Sequence, residues 1–146
     1  MIRNLVRLAF CIGALSLLGL FSGAKAATLQ PIADVSGVIS SQNGTEYFNG
    51  WVVSYNGYVY ARCSYQNTAN GVTMLVGGCR YATTANSVTF YGETYFQNQW
   101  CSFTYVFQKT STGAVGVSIN VRNPSGSLLL NRSGVLDPGA SFWTVG

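Results

Sequence analysis

The segment VTFYGETYFQNQWCSFTYVFQK, residues 88–109, decides the fold. Successive residues of a strand point to opposite faces of a sheet, and this segment sorts cleanly by that rule. One face collects Phe90, Gly92, Thr94, Phe96, Cys101, Phe103, Tyr105 and Phe107. The other collects Tyr91, Glu93, Tyr95, Gln97, Trp100, Ser102, Thr104 and Val106. A turn at Asn98-Gln99, with Gln97 opposite Trp100, predicts an antiparallel ribbon. Its phenylalanine face packs inward and its mixed aromatic and polar face meets water. A loop of two or four residues preserves this sorting, whereas three would flip one strand.

The same alternation extends outward along the chain. In residues 115–121, Val115, Val117, Ile119 and Val121 are expected inside, with Gly116, Ser118, Asn120 and Arg122 outside. Upstream, Asn56-Gly57 is a strong hairpin signal, because both central residues of a type I′ turn need positive φ. A two-residue loop there pairs Tyr55 with Tyr58, Val53 with Tyr60 and Trp51 with Arg62. Phe48, Gly50, Val52, Val59, Ala61 and Cys63 fall on the opposite, smaller face. If that small face is the core side, Tyr47, Trp51, Tyr55, Tyr58 and Tyr60 form an outward aromatic belt, and Arg62 can make a cation–π contact with Trp51. The competing assignment puts these rings in the core, where aromatics dominate burial.

Further turn clusters occur at Ser41-Gln42-Asn43-Gly44 and at 67–71, 83–87, 110–113, 123–127 and Asp137-Pro138-Gly139. Strands at roughly 10-residue spacing, with no 3.6-residue period between them, predict an all-β fold. The expected architecture is a single antiparallel β-sandwich or flattened barrel of about eight or nine short strands. It occupies residues 27–146.

Residues 1–26 read as a cleaved secretion signal. Arg3 and Arg7 precede an acid-free apolar run over 8–21, and Ala24-Lys25-Ala26 supplies a small-residue cleavage site. The apolar run falls short of the roughly 20 residues of a membrane span, so no stable span is expected after cleavage. The expected location is therefore the periplasm or the extracellular space. Arg3, Arg7 and Lys25 leave with the signal, so five of the 8 Lys and Arg remain beside 4 Asp and Glu. A domain so near neutrality has no electrostatic footprint for nucleic acid, whose binding rests on many phosphate contacts.

Export also bears on the cysteines. Cys63, Cys79 and Cys101 would meet an oxidising compartment, where disulfides persist. Three is odd, so either one pair forms beside a buried thiol or one cysteine joins another chain. Cys63 with Cys79 is the favoured pair because the two flank one connecting turn. Their spacing, with no CxxC and no histidine in the chain, argues against a metal site, and no cofactor is expected.

The absence of histidine also removes Ser-His-Asp and Cys-His machinery. Of the four carboxylates, Asp34 and Asp137 lie near turns. Glu46 and Glu93 sit beside aromatics but on different kinds of face, Glu46 core-side and Glu93 outward, which disfavours a two-carboxylate glycosidase. The chain is therefore expected not to be an enzyme. Only 8% of its residues are charged, against roughly 25% in ordinary soluble domains. An uncharged face of Tyr, Trp, Gln, Glu, Ser and Thr suits a sugar: rings stack on the C–H side of a pyranose and short polar groups bond its hydroxyls. The candidate ligand-binding residues are Tyr91, Glu93, Tyr95, Gln97 and Trp100, with Trp51, Tyr55, Tyr58 and Tyr60 as a secondary face.

The expected function is a secreted recognition or adhesion module for a glycan or a cell-surface protein. A self-associating subunit of a fibre, coat or matrix is the alternative, since residues 114–119, 128–130 and 142–145 lack the charges and prolines that guard exposed edges. A secreted protein inhibitor is a third.

Overall fold

The computed structural model describes residues 28–146; the expected secretion signal lies outside them. Ten strands follow in order: β1 Gln30–Ser41, β2 Gly44–Tyr55, β3 Tyr58–Asn67, β4 Thr73–Gly77, β5 Arg80–Thr84, β6 Ser87–Phe96, β7 Gln99–Lys109, β8 Val115–Arg122, β9 Leu128–Val135 and β10 Ser141–Val145. They form two five-stranded antiparallel sheets packed as a sandwich. Sheet A has the order β10-β1-β2-β3-β4, and sheet B runs β5-β6-β7-β8-β9. Apart from β1 with β10, every ladder joins neighbours in sequence, so each sheet is built largely from hairpins. The chain passes between sheets at two corners, 78–79 and 136–140, where no ladder forms.

The count of ten exceeds the expected eight or nine because of the first corner. Nothing in the turn pattern above divides 72–82, yet Gly77-Gly78 breaks it. Gly78 takes φ +70°, a left-handed conformation open to glycine at little cost. Its amide donates to the Ala61 carbonyl at 2.9 Å, and the chain then turns from sheet A into sheet B.

One core fills the space between the sheets, and the parity of each strand decides what enters it. Val35, Phe48, Val52, Ala61, Cys63, Tyr65 and Val76 come from sheet A; Val88, Phe90, Phe103, Tyr105, Phe107, Val117, Ile119 and Val121 come from sheet B. Gly50 explains how large rings fit. A Cβ there would come within 2.3 Å of the Phe90 ring, so this hole in sheet A is what seats Phe90. Tyr105 stacks on Phe107 with centroids 4.8 Å apart. Its hydroxyl spans the layers to donate to the Ser64 carbonyl at 3.1 Å, which satisfies the polar end of a buried ring.

The second seam is plugged by Leu136, whose side chain lies against Gly37. The Asp137 amide donates to the Val38 carbonyl at 2.8 Å, and Asp137 Oδ2 accepts from the Ser40 amide at 2.8 Å. The turn residues expected at 137–139 therefore also tie β1 to the second corner.

The Asn56-Gly57 hairpin has the expected register: Tyr55 with Tyr58, Val53 with Tyr60, Trp51 with Arg62. Asn56 and Gly57 take φ of +53° and +81°. Two details differ. Val59 has the parity of the core face but is exposed, because the hairpin tip extends past the opposing sheet. Trp51 and Arg62 are cross-strand neighbours, yet among the described residues no cation–π contact joins them. The Trp51 ring instead borders a groove with Leu29, Pro31 and Val53.

The central ribbon also shifts. Its turn is Gln97-Asn98, with φ of +48° and +63°, and not Asn98-Gln99. Tyr95 rather than Gln97 faces Trp100. The shift amounts to two positions, so every face assignment survives. It places Asn98, which tolerates left-handed φ, at the second turn position. It also sets Phe103 opposite Gly92, where the ring covers the gap left by a missing side chain.

Candidate functional site

The outer face of sheet B gathers the candidate residues through its register. Three rows cross the strands. Tyr95 faces Trp100; Glu93 faces Ser102, which faces Arg122; Tyr91 lies between Arg80 and Thr104, with Asn120 beyond. Tyr95 and Trp100 are 61% and 64% exposed, and Tyr91 is 38% exposed. The Tyr95 and Trp100 rings meet edge to face, with centroids 5.7 Å apart, an arrangement favoured by the ring quadrupoles. The two rings pack against each other while most of both stays in water.

Glu93 stands where two grooves meet. One, of about 420 Å³, runs from the β4–β5 corner and is lined by Val76, Cys79, Arg80 and Glu93. The other, of about 350 Å³, is lined by Glu93, Trp100, Ser102, Arg122 and the loop that follows β8. That loop is braced from within. Asn123 Oδ1 accepts from the Ser127 amide at 2.9 Å and from the Ser125 hydroxyl at 2.7 Å, and Arg122 Nη1 donates to the Gly126 carbonyl at 2.9 Å. The wall of the second groove is thus formed before any ligand arrives.

The structure therefore brings Tyr91, Glu93, Tyr95 and Trp100 together on one open face. Gln97 stands apart from them: it occupies the turn, at the tip of the ribbon, instead of the ladder position opposite Trp100. Arg80, Asn120 and Arg122 join the site without having been singled out for it. The outward parity of Asn120 and Arg122 was readable, but their nearness to Glu93 required knowing that β7 pairs β8. Arg80 was hidden by the unrecognised corner before it.

Trp51, Tyr55, Tyr58 and Tyr60 lie on the outer face of sheet A, across the core from the first set. Tyr55, Tyr58 and Tyr60 are exposed and Trp51 is half-buried, so the belt does not form the core. It is a separate surface and cannot share a small ligand with Glu93.

Glu46 has a different environment. It is buried between the sheets and accepts from Arg132 Nε at 2.7 Å (Oε1) and 2.8 Å (Oε2), while Arg132 Nη2 closes the pair. The Tyr65 hydroxyl donates to Glu46 Oε1 at 2.6 Å. The Arg132 guanidinium holds the Glu46 carboxyl below the usual carboxylate range, against the opposing pull of burial. Burial, and the hydrogen bond to Glu46, push the Tyr65 hydroxyl up to about 12. This is a cross-sheet clamp between β2 and β9. Glu46 and Glu93 do not face each other across a common cleft.

The three cysteines stand as thiols, so the favoured Cys63–Cys79 disulfide is not present in the structure, although Cys79 packs against the buried cluster that holds Cys63. Among the described residues no group of three His, Cys, Asp or Glu could hold a metal ion, and no helix is long and apolar enough to cross a membrane.

The resulting surface offers flat π faces, one carboxylate, two guanidinium groups and several hydroxyl and amide groups, all open to solvent. No family model, curated protein or solved structure matches this chain.

Proposed function

We propose that the chain is an exported, non-enzymatic recognition module that binds a glycan through the outer face of sheet B. The observation that carries this reading is the exposed, edge-to-face Tyr95–Trp100 pair beside Glu93 at the junction of two grooves. The rings supply stacking area for the apolar face of a sugar. Glu93, Ser102, Thr104, Asn120 and the two arginines supply acceptors and donors for hydroxyls at the spacing of neighbouring strands. An open trough fits a polymer better than a buried monosaccharide. The low charge of the chain supports the same reading, since a protein need not shed a dense charged surface to approach a neutral polysaccharide. No step of this function needs a cofactor or metal.

The test is binding of residues 27–146 to a panel of neutral and uronate-bearing polysaccharides. Tyr91→Ala, Tyr95→Ala and Trp100→Ala are each expected to abolish binding, with the melting temperature within a few degrees of the parent. Loss of fold in all three would withdraw the site.

A second reading, self-association into a fibre or coat, has its own support. β9 and β10 each present a free strand edge, with exposed Leu128, Val135 and Phe142 on them, and free edges accept strands from neighbours. Of the unguarded segments, 114–119 lies largely in β8, an interior strand, and offers no edge. A monomer at high concentration would exclude this reading; ladders on unboiled gels would favour it.

A further inference from the structure

At the edge of the proposed glycan-binding face, two thiols flank the β4–β5 corner. Cys63 is fully buried on the core face of β3, opposite Val76. Cys79 follows the corner, half-buried, and lines the groove with Gly78, Arg80 and Glu93. The Gly78 amide, bonded to Ala61 at 2.9 Å, holds the corner against β3 close to Cys63. Cys79 packs against the buried core that contains Cys63, and the two thiols lie near enough to perturb one another. Cys101 lies on the other sheet, buried, with its sulfur 3.8 Å and 3.7 Å from the carbonyls of Phe96 and Gln99.

We propose that Cys79 and Cys63 are the entry and resolving thiols of a reversible disulfide that closes this corner, formed by exchange with a disulfide-bearing oxidant. The two differ in the way exchange requires. Only Cys79 opens to solvent, and a thiolate must reach the incoming disulfide. The neighbouring Cys63 thiol pulls the pKa of Cys79 below the ordinary thiol value, which favours its thiolate, whereas Cys79 and burial push that of Cys63 up. The Cys79 thiolate attacks one sulfur of the oxidant, forming a mixed disulfide and releasing the other sulfur as a thiolate. Cys63 then loses its proton and attacks the Cys79 sulfur, expelling the second thiolate. Two protein thiols and one oxidant disulfide become one protein disulfide and two oxidant thiols. The new bond ties sheet A to the first residues of sheet B, at a seam that no backbone ladder closes. It also fixes one wall of the groove that contains Glu93.

This inference does not depend on glycan binding. The experiment treats the reduced chain with oxidised glutathione and reads intact mass, peptide maps and melting temperature. The parent should lose two hydrogens, retain no glutathione and melt about 10 °C higher, a gain that dithiothreitol reverses. Cys63→Ala should hold one glutathione, at Cys79, because nothing resolves it. Cys79→Ser should acquire none. A parent that does not change mass, or a Cys79→Ser chain modified as readily as the parent, would overturn the proposal. So would a crosslink or adduct mapped to Cys101. Loss of glycan binding by these variants, with the redox results intact, would concern the groove alone.

Discussion

The two faces of the β6–β7 ribbon carry similar rings with opposite fates. Tyr105 is fully buried and stacks on Phe107, while Tyr95 and Trp100, a few residues away, remain more than half exposed. Hydrophobicity does not separate them; parity along the strand does. The inner face meets a partner sheet shaped to receive it, with Gly50 vacated for Phe90, whereas the outer face has no second layer. A ring with nothing above it is available to a ligand, and a ring with a sheet above it is available only to the fold. Changes to the inner face should therefore register in stability, and changes to the outer face in binding.

The largest effect should come from the inner face. Phe90→Ala is expected to destabilise the domain by about 3–5 kcal/mol, measured by denaturant unfolding. The reciprocal change, Gly50→Val, should destabilise as well because its side chain would occupy the space of the same ring. If either variant unfolds like the parent, the Phe90 ring is not seated in the gap at Gly50.

The clamp between β2 and β9 ranks next. Arg132→Leu leaves the Glu46 carboxylate buried without its cation and should cost about 1.5–3 kcal/mol at neutral pH. The pH dependence gives a sharper signature. In the parent the Glu46 carboxyl is held below its ordinary value, so its contribution is complete above that ordinary value, near 4.5. It is lost as pH falls through the lower folded-state value. In Arg132→Leu the Tyr65 hydroxyl and the Asn67 amide still bond the Glu46 carboxylate, but burial without the cation favours protonation, so mild acid should recover part of the lost stability. A variant whose acid limb matches the parent's would remove the clamp from the account.

A smaller effect is expected at the ribbon tip. Gln97 adopts positive φ, which glycine accepts more easily. Gln97→Gly should leave stability equal to the parent or higher by about 1 kcal/mol. Since Gln97 lies at the turn, glycan binding should persist. Loss of binding in this variant would return Gln97 to the site and sharpen its boundary.

Much of the inner and outer assignment was legible because period-two alternation survives errors in turn placement. The turn at 97–98 differs from the one at 98–99 by a register change of two, and a change of two leaves Phe103 inside and Trp100 outside. What could not be read depended on contacts between strands distant in sequence. Arg132 looks like an ordinary surface cation in one strand, and only the meeting of β9 with β2 makes it the partner of Glu46. The corner at Gly77-Gly78 had a local signal, a glycine pair, but short flanking segments in two different sheets resemble one longer strand. For the site, the stacking rings and Glu93 were legible from one ribbon, whereas Arg80, Asn120 and Arg122 needed the neighbouring strands.

The central claim, that the outer rings of this ribbon are free in the unbound chain and covered by a glycan, can be read from one residue. A Trp51→Phe, Trp143→Phe variant leaves Trp100 as the only tryptophan. Its fluorescence should be quenched freely by acrylamide in the unbound chain and protected when a polysaccharide that binds the parent is added. A Trp100 already shielded from acrylamide without ligand, or one quenched equally at saturating polysaccharide, would contradict the account.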